Sequence, residues 1–105
     1  MGDRVRLCAL EELQPGMARP FEVGSRRIAV VRIADDVFAV DDTCSHEEYS
    51  LSEGEVWVDE REIECPQHGS TFDLQTGEPR SLPATRPVAV YPVRLESGEV
   101  LVELS

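Results

Sequence analysis

Two short segments, Cys44-Ser45-His46 and Cys65-Pro66-Gln67-His68, constrain this chain more than anything else in it. They contain both histidines of the protein and two of its three cysteines. A lone His or Cys is ordinarily packed or solvated, but here every histidine is paired with cysteine at short spacing, in two places. Thiolate and imidazole are good ligands for transition metals, so a fold that uses them must bring the second segment back beside the first. The stretch 47–64 between them is long enough for a hairpin to do this. A Cys/His nucleophilic pair would account for one segment and leave the other unexplained. An odd number of cysteines, with no apolar export segment after Met1, disfavours a disulfide framework and favours reduced thiols.

The rest of the chain has the periodicity of strands. Val5 and Leu7 alternate with Arg4 and Arg6 as in a half-buried strand. Residues 10–13 form one helical turn, ended by Pro15-Gly16. Strands are expected at 17–23 and 27–33, joined across Gly24-Ser25, and at 37–40 after the turn Asp35-Asp36. Short strands follow at 55–58, 62–65 and 71–73. The proline-rich stretch 79–87 is excluded from any central strand, because each proline lacks a ladder donor. A strand at 88–95, a Ser97-Gly98 turn and a strand at 100–104 complete a terminal hairpin. Many short strands with turns between them predict an all-β antiparallel sandwich or barrel, with the Cys/His loops and their strands inserted into it. A length of 105 residues predicts one domain, 1–105, whose metal-binding subdomain spans about 42–83.

The net charge is −11, and all ten basic residues are arginine. Phosphate backbones are held by basic clusters, so this balance argues against a nucleic-acid partner. No stretch is apolar enough for a membrane span, and the expected location is the cytoplasm. Asp41-Asp42, Glu47-Glu48 and Asp59-Glu60 read as solvated acidic faces. Their functional alternative is steering toward a basic patch on a partner.

Two Cys and two His also make a tetrahedral zinc site, which leaves a zinc-stabilised binding module as one reading. Zinc fingers, however, usually separate the first ligand pair by two to four residues and set the histidines together on a helix. Here each loop mixes Cys with His, and no helix is evident nearby. If the cysteines bind one iron and the histidines another, each loop contributes one ligand to each metal, as in a Rieske centre.

Cys44-Ser45-His46, then Leu51-Ser52-Glu53-Gly54, then Cys65-Pro66-Gln67-His68-Gly69-Ser70-Thr71-Phe72-Asp73 resembles a Rieske-type [2Fe–2S] ferredoxin, the specific match covering residues 44–73. Leu82-Pro83-Ala84 is similar to the proline loop that covers the cluster in that family. The resemblance implies one [2Fe–2S] cluster, with Cys44 and Cys65 on the inner iron and His46 and His68 on the outer. It further implies an electron exit at the histidine edge and close backbone passage at Gly69. Gln67, Gly69, Ser70, Phe72 and Pro83 would line the cluster, with Ser70 donating to a sulfide.

Departures from the respiratory branch narrow the expectation. That branch carries a second cysteine in each loop, joined as a disulfide, where this chain has Tyr49 and Gln67. It also carries a potential-raising tyrosine where this chain has Phe72. Cys8 is expected to be an ordinary buried thiol. Without that donor, and amid Asp42, Glu47 and Glu48, the potential is expected near the low end of the Rieske range, about −150 mV. With no membrane anchor and no room for a mononuclear iron domain, the chain resembles the ferredoxin component of bacterial aromatic-ring dioxygenases. Such a component is a monomeric carrier and not an enzyme. It takes electrons from a flavin-dependent, NAD(P)H-oxidising ferredoxin reductase and passes them to a terminal oxygenase. The small subunit of an assimilatory nitrite reductase is the alternative within redox chemistry.

Overall fold

Ile28, Ala29, Val30 and Val31 are consecutive and fully buried, so the strand that holds them has no solvent face. The computed structural model describes residues 3–44, 49–67, 69–82 and 85–104. Its strands are β1 (Asp3–Ala9), β2 (Met17–Val23), β3 (Arg26–Ile33), β4 (Asp36–Asp41), β5 (Val56–Trp57), β6 (Glu62–Glu64), β7 (Thr71–Asp73), β8 (Val90–Tyr91), β9 (Val93–Glu96) and β10 (Glu99–Leu104). They form three antiparallel sheets, ordered β1-β10-β9, β2-β3-β4-β8 and β5-β6-β7. The expected antiparallel all-β class is what the chain adopts.

β3 explains how the sheets stack. Its side chains alternate between two apolar clusters. Ile28 and Val30 pack with Cys8, Leu13, Val100 and Val102 on the side of the terminal sheet β1-β10-β9. Ala29, Val31 and Ile33 pack with Cys44, Leu51, Ile63, Cys65 and Phe72 on the side of the small sheet β5-β6-β7. The four-stranded sheet is therefore a central layer with a core on each face. Cys8 is buried as expected, and that burial pushes its thiol pKa up.

Two expectations are corrected. The segment 88–95 is not one strand: Pro92 divides it, and β8 pairs with β4 whereas β9 pairs with β10. Proline has no N–H to continue a ladder, so the chain changes sheets there; its carbonyl still accepts the Glu103 N–H at 2.9 Å. The second correction is a 3₁₀ turn at Leu51–Glu53, next to a loop for which no helix was expected. The expected turn near residue 10 is present as a 3₁₀ turn at Leu10–Glu12.

Gly54 ends the 51–53 turn where the chain runs against β6. A Cβ there would lie 1.6 Å from the Glu64 carbonyl oxygen, so only glycine fits. Replacement by alanine must push apart the segment after the first Cys/His loop and the strand leading into Cys65. Gly54→Ala is expected to cost about 3 kcal/mol, lowering Tm by roughly 12 °C or more in a thermal melt.

The turn after β7 is held by Asp73, which accepts the N–H groups of Gln75 (2.7 Å) and Thr76 (3.1 Å) and pairs with Arg80 at 2.6 Å. Partial burial raises its pKa, but the Arg80 hydrogen bond and the two backbone donors outweigh this and hold it below the ordinary carboxylate range. A depressed folded-state pKa contributes stability above the unfolded value, and that contribution is lost as pH falls through the folded one. Asp73→Asn is therefore expected to melt below wild type at pH 7, with the gap closing as pH drops below about 4.

Candidate metal centre

The two cysteine loops have the same neck. Cys44 follows β4, and its N–H donates to the Tyr49 carbonyl at 2.9 Å. Cys65 follows β6, and its N–H donates to the Ser70 carbonyl at 2.7 Å. In each loop the cysteine N–H thus reaches the carbonyl five positions on. Beyond each closure the strands pair, through the Thr43–Ser50 bridge in one case and the Glu64–Thr71 register in the other. Both cysteines are free thiols, 3% and 0% exposed, in one apolar cluster with Leu51, Ile63 and Phe72.

Two reduced, buried thiols on hydrogen-bonded loop necks suit a thiolate-ligated metal group, since the backbone fixes their positions and the apolar wall excludes water. His46 and His68, and likewise Glu47, Glu48 and Pro83, lie outside the described residues. Among the described residues no group of three or more metal-ligating side chains comes together. The cysteines are the described part of the predicted ligand set.

The other predicted residues surround these necks. Gly69 has φ +76, a left-handed conformation that favours glycine, and its N–H donates to the Cys65 carbonyl at 3.0 Å. A Cβ at Gly69 would meet nothing within 4 Å, so the backbone angle, not crowding by protein atoms, accounts for the residue here. Ser70 is fully buried at the base of the loop, and Phe72 is fully buried beside both cysteines. Gln67 and Tyr49 are exposed, and neither offers a thiol. Leu82 is 77% exposed beside the second loop.

Several residues that matter here were missed from sequence. Ser81 accepts the Thr71 N–H at 2.9 Å and donates to the Gly69 carbonyl at 3.4 Å, pinning the proline-rich segment to the second loop. Asp42 was read as part of a solvated acidic face, and the structure overturns this: its side chain is buried. Burial raises its pKa, but hydrogen bonds from Ser50, Ser52 and Arg27 outweigh that and hold it below the ordinary carboxylate range. Strand alternation was the available signal, since Val40, Asp42 and Cys44 fall on one face and the other two are apolar or ligating. Asp41, its neighbour, accepts the Tyr91 hydroxyl at 2.5 Å on the other face.

Comparison with known proteins agrees with this geometry. The family model for the Rieske [2Fe-2S] domain matches residues 3–92. The ferredoxin CarAc of Metapseudomonas resinovorans is 43% identical over 99 residues, covering 93% of this chain and 91% of that one. The ferredoxin of carbazole 1,9a-dioxygenase from Nocardioides aromaticivorans IC177 superposes with a TM-score of 0.95 at 39% identity, covering 97% and 98% of the two chains. A ferredoxin solved as a complex of reduced oxygenase and oxidised ferredoxin in carbazole 1,9a-dioxygenase superposes at 0.88 with 42% identity, over 95% and 92%. The cofactor of such domains is one [2Fe–2S] cluster, which sets aside the zinc reading. The chain belongs to the Rieske [2Fe–2S] domain family.

Proposed function

We propose that this protein is the ferredoxin component of a multicomponent aromatic-ring dioxygenase, or of a related non-haem iron oxygenase. It carries single electrons from an NAD(P)H-dependent flavin reductase to a terminal oxygenase and transforms no substrate itself. The observation that carries this reading is the pair of matched loop necks, each presenting one buried, reduced thiol. The relatives support it, being ferredoxins at 39–43% identity over nearly their whole length, one of them solved together with its oxygenase.

In this reading residues 1–105 act as one Rieske domain, with about 42–83 as the part that holds the cofactor. Cys44 and Cys65 would hold one iron, and His46 and His68 the other. When bound, the [2Fe–2S] group supplies reversible one-electron chemistry. The chain's own residues hold it, exclude water and set the charge around it. Phe72 closes the wall behind the cysteines with no hydroxyl to donate. Tyr49 and Leu82 leave an apolar rim, one residue beside each loop, suited to a transient protein partner. Among the described residues no helix is long and apolar enough to cross a membrane. A monomer acting in the cytoplasm fits this role.

The purified protein is expected to be red-brown, to bleach on dithionite reduction, and then to give a rhombic EPR signal characteristic of mixed Cys/His ligation. A colourless, iron-free protein overturns the proposal. Redox titration should place the midpoint near about −150 mV, and Phe72→Tyr should raise it by adding a donor at the cysteine wall. Chemically reduced protein should be reoxidised by a cognate terminal oxygenase in single-electron steps. Failure with every partner encoded beside it would count against the oxygenase role.

A further inference from the structure

The neck of the first loop is closed by a buried carboxylate. Asp42, two residues before Cys44, is 1% exposed. Its Oδ1 accepts the Ser52 backbone N–H at 2.8 Å. Its Oδ2 accepts the Ser50 hydroxyl and, at 2.7 Å, the Arg27 Nε–H. The hydroxyls of Ser50 and Ser52 are themselves 2.9 Å apart. The main chain runs through the same seam: the Asp42 N–H donates to the Arg27 carbonyl at 3.0 Å, and the Asp42 carbonyl accepts the Leu51 N–H at 2.6 Å. One residue thus grips both ends of the loop, 42 on entry and 50–52 on exit, and ties them to β3 in the central sheet.

Burying a carboxylate is costly unless its lone pairs are filled, and an apolar residue of similar size would pack this position without that cost. The donors to Asp42 are not spread through the core. Two come from the exit of the loop and one from the strand that carries the framework. Tyr49 and Gln67 provide no thiol for a covalent cross-link, so any bracing of the first loop must be non-covalent. We propose that Asp42 is a positioning residue that, through Ser50, Ser52 and Arg27, fixes the neck from which Cys44 presents its sulfur. This rests on the assignment of Cys44 as a cluster ligand.

The test uses cluster-loaded protein in four forms besides wild type. Ser50→Ala removes one hydrogen bond to Asp42, together with the Ser50–Ser52 hydroxyl contact, and leaves the Asp42–Arg27 pair. Asp42→Asn keeps one carbonyl acceptor, and Asp42→Ala keeps none. Val102→Ala, fully buried in the terminal layer, lowers stability without touching the loop. Two quantities are read well below the melting temperature: the EPR line width of the reduced protein and the rate of cluster loss to a chelator. Losing one such hydrogen bond should broaden the Ser50→Ala lines and speed its cluster loss about five-fold. Asp42→Asn should fall between wild type and Asp42→Ala, and Val102→Ala should match wild type in both readouts. If Asp42→Ala fails to fold, Ser50→Ala still decides. The inference is overturned if Ser50→Ala matches a normally loaded wild type, or if Val102→Ala reproduces its changes. A wild type that binds no cluster overturns the ligand assignment, and this inference with it.

Discussion

The layers of this protein are hung on a strand whose central residues, Ile28 to Val31, are shut off from water on both faces. Because β3 is buried on both faces, the layers on either side of it share one support. The terminal sheet packs against Ile28 and Val30, and the cysteine-bearing layer packs against Ala29, Val31 and Ile33. Apolar burial at about 25 cal/mol per Å² is the main driving force available to so small a domain, and using both faces of one strand increases what that strand contributes. The same strand supplies Arg27, whose side chain and carbonyl both meet Asp42. Framework and metal centre are therefore joined at one place by packing and by charge.

Much of this was legible in the residues. Alternation and turn chemistry located most strands, and 71–73 and 17–23 have the bounds expected of them. Doubled Cys/His spacing pointed to a metal centre, and the structure sets Cys44 and Cys65 in one buried cluster. What escaped was tertiary in origin. Pro92 was visible, yet nothing local says that the chain changes sheets there. Asp42 looked like its neighbours by composition, and only the partners brought from positions 27, 50 and 52 make its burial tolerable. Ser81 is one serine in a polar, proline-rich stretch, and its value depends on Thr71 and Gly69 lying alongside.

The cysteine wall shows how a small chain limits its own chemistry. Phe72, Leu51 and Ile63 enclose the thiols with carbon, and backbone hydrogen bonds close both loop necks. A backbone donor survives every point mutation except one to proline, whereas a side-chain hydroxyl is lost to most. Hydrogen bonding at the necks is thus built largely into the backbone, and residue 72 is a buried wall position that carries no donor.

Pro92 has a mechanical consequence. Tyr91 and Val93 belong to different sheets, so a single residue links the layer bearing the chain ends to the layer from which Cys44 departs. Strand β9 of the outer sheet cannot peel away without pulling on β8, and so on β4, through that short link. Opening from the β9 edge therefore has little slack to take up before it strains the central layer. Displacement of β9 is thereby coupled to the layer that carries the Cys44 loop.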